Sequence, residues 1–137
     1  MNPVTLFEPM VNNMKEITKA QEELLIALWN IKEGAVSDIL ESLTAPRPAY
    51  NTVATVIKVL EKKGYVAHRT YGKTNVYYPA VTKRDYAHHV LKDTFKGLFN
   101  SSLPQMVSSF VKNKEISLHE LEELKEMLEK EIENKRK

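Results

Sequence analysis

Residues 50–63, YNTVATVIKVLEKK, combine two patterns on one short segment. Val53, Val56, Ile57 and Leu60 recur at i, i+3, i+4 and i+7, the spacing of a helix that lays one face on a core. At about 100° per residue the opposite face carries Asn51, Thr55, Lys58 and Lys62, with Thr52 and Ala54 on its flanks. That face holds no acid. Thr44-Ala45-Pro46-Arg47-Pro48 breaks the chain ahead of the helix, and Gly64 ends it as a C-terminal cap does. Short hydrogen-bonding side chains at the start and lysines further along suit base edges and phosphates. Two plainer readings stand beside this one: a solvated face, and lysines at positions 62 and 63 that oppose the dipole at the helix C-terminus.

The flanking segments favour the nucleic-acid reading through their order. Thr18 and Gln21 have the spacing of a capping box, and Leu24, Leu28 and Ile31 then mark a helix predicted to end at Gly34. Ser37 is predicted to cap a short second helix through about residue 43, with Ile39, Leu40 and Leu43 inward. After Gly64 come β-rich stretches at 65–70 and 74–78, joined by Tyr71-Gly72-Lys73 into a hairpin. Three helices and a hairpin, with a turn between helices two and three, is the order of a winged helix-turn-helix. There the third helix reads the major groove and the hairpin flanks it. Asn51, Thr52 and Thr55 are the candidate base contacts, with Lys58 and Lys62 on phosphate. Arg69 and Lys73 on the hairpin are placed for backbone phosphate as well. Tyr65, Tyr77, Tyr78 and Trp29 read as structural aromatics.

From residue 83 the chain is helical again: 83–98, 103–112 with Pro104 in its first turn, and 117–135. Ser117 with Glu120 forms a capping box, and Ile116 with Leu121 a hydrophobic staple. Leu121, Leu124, Leu128 and Ile132 make a narrow apolar stripe, while Glu126–Lys130, Glu131–Lys135 and Glu133–Lys137 are favourable pairs on exposed positions. The stripe is predicted to be a dimer seam, because reading two half-sites of palindromic double-stranded DNA requires two reading helices about 34–36 Å apart. The expected fold is mainly α: an arm at 1–16, a winged helix-turn-helix at 17–82 and a helical dimerisation domain at 83–137.

Charge is segregated in the same way. A net +2 conceals eight basic residues against one acid over 45–84, a balance of +7, and five against eight over 115–137, a balance of −3. A basic middle is the footprint of a polyanionic partner. The chain has no cysteine, which excludes disulfides, thiolate metal sites and cysteine nucleophiles. His68, His88, His89 and His119 lack the spacing of a metal site, and no catalytic motif or phosphate loop is present. The expectation is therefore a non-enzyme without cofactor or metal, cytoplasmic by default in the absence of a signal-peptide pattern or bilayer-length apolar run. Two alternatives remain: a winged-helix regulator that senses a small ligand between the winged domain and residues 83–98, and a winged-helix protein-interaction module.

Particular motifs resemble the penicillinase-repressor and methicillin-resistance-repressor family over nearly all of residues 17–137. They are Thr18-x-Ala20, Leu28-Trp29, Tyr50-x-Thr52-Val53-x-Thr55, Leu60-x-Lys62-Lys63-Gly64 and Tyr77-Tyr78-Pro79 in the first half. In the second half they are Phe99-Asn100-Ser101, Ser109-Phe110-Val111 and Leu121-Glu122-Glu123-Leu124. The resemblance implies a homodimeric repressor of a β-lactamase or related resistance operon, held on a palindromic operator until a membrane sensor protease signals the antibiotic. It also implies cleavage between Ser109 and Phe110, although the best-known members carry asparagine where this chain has Ser109. Relatives responding to copper use C-terminal cysteine pairs, which this chain lacks. Asn51 and Ala54 stand where relatives carry basic residues, which implies fewer charged contacts to DNA.

Overall fold

The structure, a computed structural model, describes residues 14–137, so the arm expected over 1–16 lies outside the described residues apart from its last three. Three helices come first, α1 (Lys19–Ile31), α2 (Val36–Ser42) and α3 (Tyr50–Lys62), followed by an antiparallel hairpin of β1 (Val66–Tyr71) and β2 (Thr74–Pro79). Helices α4 (Lys83–Leu98), α5 (Leu103–Lys112) and α6 (Leu118–Arg136) complete the chain. Two compact units result, one running to Leu91 and the other spanning Lys92–Lys137, so that the division falls inside α4. The protein is thus mainly helical with a small hairpin, and no helix among the described residues is long and apolar enough to cross a membrane.

In the first unit the periodicity of the sequence becomes a core. Leu25 and Leu28 of α1, Ile39 of α2, and Val53, Ile57 and Leu60 of α3 are all at 0% exposure, closed by Tyr65 and Val66 from the hairpin side. Each such aliphatic side chain contributes on the order of 1.5–3 kcal/mol by leaving water. Helix α1 begins with the capping box expected of Thr18 and Gln21. Helix α3 ends in a Schellman motif: the Tyr65 N–H donates to the Leu60 carbonyl at 2.9 Å and the Gly64 N–H to that of Glu61 at 3.0 Å. Gly64 at φ +89° supplies the left-handed residue that this motif requires. The chain reverses there and enters β1 directly.

Three local expectations are corrected. Ser37 lies inside α2; the helix is entered at Ala35, whose N–H donates to the Asp38 carboxylate at 2.9 Å. Asp38 also stands in the first turn, where a negative charge is favoured by the helix dipole. Gly34 does not end α1, which stops at Ile31. The Gly34 N–H and carbonyl instead pair with Tyr77 at 2.9 and 2.8 Å, an isolated antiparallel bridge on the outer side of β2. A Cβ on Gly34 would meet Asp38 Cβ at 2.9 Å and Ile31 Cδ1 at 3.0 Å, so the backbone approach allows nothing larger. The hairpin connection is one residue shorter than the expected Tyr71-Gly72-Lys73: Tyr71 belongs to β1 and pairs with Thr74, which leaves Gly72 and Lys73 as a two-residue turn.

The second unit has a different physical character. Helices α5 and α6 bury no residue at all, while Leu98, Phe110, Val111, Met127, Leu128 and Ile132 are between 45% and 76% exposed. Of the three expected ion pairs on α6 only Glu126–Lys130 closes, at 3.5 Å, whereas Lys125–Glu129 and His119–Glu123, which were not expected, close at 3.8 and 2.8 Å. Such exposed pairs add little to stability.

Gly34→Ala is expected to destabilise the first unit by about 1–3 kcal/mol through overpacking. Gly97→Ala, in α4 with open space around its Cβ, is expected to leave stability equal or raise it by about 0.5–1 kcal/mol. Urea denaturation of the two variants checks the contrast.

Candidate nucleic-acid interface

Because Val53, Ile57 and Leu60 turn inward, helical geometry turns Asn51, Thr52, Thr55, Lys58 and Lys62 outward, and all five are exposed. They form one stripe along α3. Thr55 carries a constraint that spacing did not reveal, since its hydroxyl donates to the Asn51 carbonyl at 2.9 Å. With the proton committed to the helix, Thr55 offers its oxygen lone pairs and its methyl outward, the chemistry that meets a cytosine amino group or a thymine methyl. At the N-terminus of α3 the cap is Ala49, which gives no side-chain acceptor, and the first turn holds no acid. Its free N–H groups and the positive end of the helix dipole therefore face solvent beside Asn51 and Thr52.

The cations of the basic middle divide by what already holds them. Arg47 donates to the carbonyls of Leu43 and Glu41, both at 3.0 Å, and so closes the C-terminal end of α2. Lys63 does not serve the α3 dipole alone. Its ammonium donates to the Glu16 carbonyl at 2.8 Å and to Gln21 Oε1 at 3.1 Å, fastening the entry to α1 onto the end of α3. Arg69 lies 4.3 Å over the Tyr78 ring and 3.9 Å from a Glu33 carboxylate oxygen. Both groups of that ion pair are more than half exposed, so water competes with it. Lys58, Lys62 and Lys73 are exposed and form no ion pair among the described residues. The single acid of the stretch, Glu61, is engaged by His68 Nδ1 at 2.5 Å. The outward face of α3 therefore keeps its positive potential.

The aromatics separate as well. Tyr65 and Tyr77 are buried at 1% and 4%, and Tyr78 is half-buried beneath Arg69. The Trp29 indole N–H donates to the Val81 carbonyl at 3.0 Å. Tyr86 was not singled out by the sequence. It is the one buried residue of α4, it donates to the Glu22 carboxylate at 2.5 Å, and its ring lies 5.7 Å from Trp29 and 5.8 Å from Tyr65. Its only sequence signal is a lone tyrosine in an otherwise polar opening turn, Lys83-Arg84-Asp85. Burial raises the pKa of both Tyr65 and Tyr86, and for Tyr86 the Glu22 carboxylate raises it further, so both hydroxyls remain donors. Tyr65 donates to the Lys15 carbonyl.

In the second unit the Ser109–Phe110 bond lies inside α5, with Ser109 half-buried and Phe110 46% exposed. The carbonyls of both residues accept backbone bonds, from Asn113 at 3.3 Å and Glu115 at 3.1 Å. Along α6 the stripe opens outward: Leu121 and Leu124 are half-buried, whereas Leu128 and Ile132 stand at 49% and 50% exposure. Among the described residues no group of three histidine, aspartate or glutamate side chains is placed to hold a metal ion.

Residues 17–130 match the family described as penicillinase repressor. The chain is 28% identical to the methicillin resistance regulatory protein MecI of Mammaliicoccus sciuri over 122 residues, which covers 88% of this chain and 99% of the relative. It is 26% identical to the penicillinase repressor of Bacillus licheniformis over 120 residues, covering 87% and 94%. Among solved structures a mutant MarR from E. coli is similar over 96% of this chain and 98% of its own, at 16% identity and a TM-score of 0.46.

Replacing Lys63 by methionine is expected to cost about 1–2 kcal/mol of stability, since it unpairs the Glu16 carbonyl and Gln21 while keeping the aliphatic stem. Equilibrium denaturation measures that loss. Lys58→Met, with no partner to lose, is expected within about 0.5 kcal/mol of the parent.

Proposed function

We propose that this chain, which belongs to the penicillinase repressor family, is a dimeric transcriptional repressor that holds palindromic double-stranded operator DNA with the exposed face of α3. The observation carrying this reading is the two-sided character of α3: a fully buried apolar stripe behind, and Asn51, Thr52, Thr55, Lys58 and Lys62 in front without a neutralising acid. Asn51, Thr52 and Thr55 contact base edges. Lys58 and Lys62 contact phosphate, and Arg69 and Lys73 do so from the hairpin beside the groove. Residues 17–82 form the DNA-binding domain and residues 83–137 the dimerisation domain, with no enzymatic step and no cofactor.

Dimerisation is supported by the state of the second unit. Two helices without a fully buried residue leave Leu128 and Ile132 half in water beside the half-buried Leu121 and Leu124, and a second copy of the same stripe covers it isologously. Holding two reading units together raises the effective concentration of the second near its half-site. Whatever separates the copies therefore frees the operator. In this reading the controlled operon is of the β-lactamase or antibiotic-resistance type, the protein acts in the cytoplasm, and a membrane sensor protease ends repression by cutting between Ser109 and Phe110. Since that bond sits in a hydrogen-bonded helix, cutting requires α5 to open locally first.

The test is a gel-shift salt series on the DNA upstream of the chain's own gene. Log affinity is expected to fall linearly with log salt, and Lys58→Ala and Lys62→Ala each to reduce the slope by about one. Binding indifferent to salt, or to sequence, refutes the reading. Sedimentation of Ile132→Glu is expected to show monomer at concentrations where the parent is dimeric, with affinity for the full palindrome lowered by about tenfold or more.

A further inference from the structure

We propose that His68, bonded to Glu61 on the flank of α3, sets the affinity of the protein for DNA by gaining or losing one proton, with tighter binding on the acid side. This rests on the reading of α3 as the helix that enters the groove. Glu61 is the one acid among residues 45–84 and stands on α3 between Lys58 and Lys62. Neighbours three apart on a helix have Cβ atoms about 5–6 Å from one another. That is inside the roughly 8 Å over which salt at physiological strength screens a charge. A negative charge left uncompensated at Glu61 therefore weakens the pull of both lysines on phosphate.

The group that compensates it is held in place by the hairpin. His68 Nδ1 lies 2.5 Å from Glu61 Oε2. Its ring is 5.4 Å from that of Tyr77, directly across the hairpin, and Tyr77 is itself bridged to Gly34. Strand β1 packs against α3 and β2. Toward His68, α3 presents Glu61 with Lys58 and Lys62 beside it, while Lys63 is engaged by Glu16 and Gln21, and β2 presents Tyr77. Arg69, the next residue of β1, takes the opposite face with Tyr78 and Glu33. Against a carboxylate, Nδ1 is the donor, so the bond stands with the ring neutral or charged, and Nε2 is the atom that takes up the proton. The pair thus carries one negative charge when Nε2 is bare and none when it is protonated. Histidine is the side chain whose charge changes between about pH 5 and 8, and both partners are about one-third exposed, within reach of protons from water. Acid removes a negative charge beside the phosphate-binding lysines and alkali restores it, without breaking the bond. His68 itself touches no DNA in this scheme.

The experiment measures fluorescence anisotropy of labelled DNA from upstream of the chain's own gene, titrated with the full chain at constant salt from about pH 5.5 to about pH 8.5. Affinity of the parent is expected to be about threefold or more higher at the acid end, the size of one exposed charge interaction at each reading helix. His68→Gln, whose amide still donates to Glu61, is expected to bind at the parent's alkaline level throughout and to lose that dependence. Glu61→Gln is expected to bind about threefold more tightly than the parent at the alkaline end, and the double variant to be both tight and independent of pH. His88, His89 and His119 are present in every variant, so their contribution cancels from the comparison. Denaturation at both ends of the range establishes that each variant is folded. A parental affinity that does not change with pH, a dependence that His68→Gln retains, or a Glu61→Gln variant no tighter than the parent at alkaline pH overturns this proposal alone. A parent that binds the DNA at no pH overturns the repressor reading with it.

Discussion

Everything in the first unit depends on the burial of one side of α3. With Val53, Ile57 and Leu60 wholly removed from water against α1 and α2, the rotation of this helix about its axis is no longer free. A turn of one residue, about 100°, would drive Thr52 or Lys58 into the core and lift an aliphatic side chain into solvent, at a cost of several kcal/mol. The hydrophobic effect therefore aims the polar stripe, although none of its energy comes from the stripe. The Schellman turn at Gly64 and the clamp of Lys63 on Glu16 and Gln21 then fix where the helix stops. The hairpin, anchored through Tyr77 to Gly34, can take only one place beside it.

How far the sequence foretold this varies with the range of the interaction. Helix α3, the Thr18 and Ser117 caps and the bounds of α5 were legible because they rest on contacts within four residues. Gly34 was read as a helix terminator because a glycine after an apolar run usually is one. Its bonds to Tyr77 cross more than forty positions, and no local pattern announces them. Ser37 was read as the cap from its residue type alone. The structure satisfies the Ala35 N–H from the acid three residues on, so half of a capping box proved sufficient. The exposed stripe could be read residue by residue. Which cations were already employed could not: Lys63 meets a carbonyl and an amide more than forty residues away, Arg69 a ring on the facing strand, and Arg47 the local carbonyls of Glu41 and Leu43 through a turn whose shape residue spacing does not give.

The two units also differ in what sustains them. The first holds a closed core of aliphatic and aromatic side chains. The second, from Lys92 onward, places its large apolar groups half in water. Capped helix ends and i, i+4 pairs on α6 favour the helix itself but supply only tenths of a kcal/mol each. Isolated helices of this length are marginal. The apolar stripe consequently needs a covering surface for a reason of stability, quite apart from any need to reach two half-sites.

For the proposed repressor, that difference gives a physical reason for control to act on the second unit. Disabling α3 directly would mean opposing a fully buried stripe, which no modest local change can do. In the proposed dimer the second unit would stand near the threshold of order, because its stability would follow the concentration of copies by mass action. Opening α5 at Ser109 and Phe110 breaks backbone bonds that no core protects, so the work required is small. In the proposed dimer the consequence would be large, because it would convert a bivalent hold on DNA into two independent weak ones. Under the proposed function, a well-buried reading helix beside a weakly ordered pairing surface would let a small perturbation in the helical unit decide occupancy without disturbing the residues proposed to face the groove.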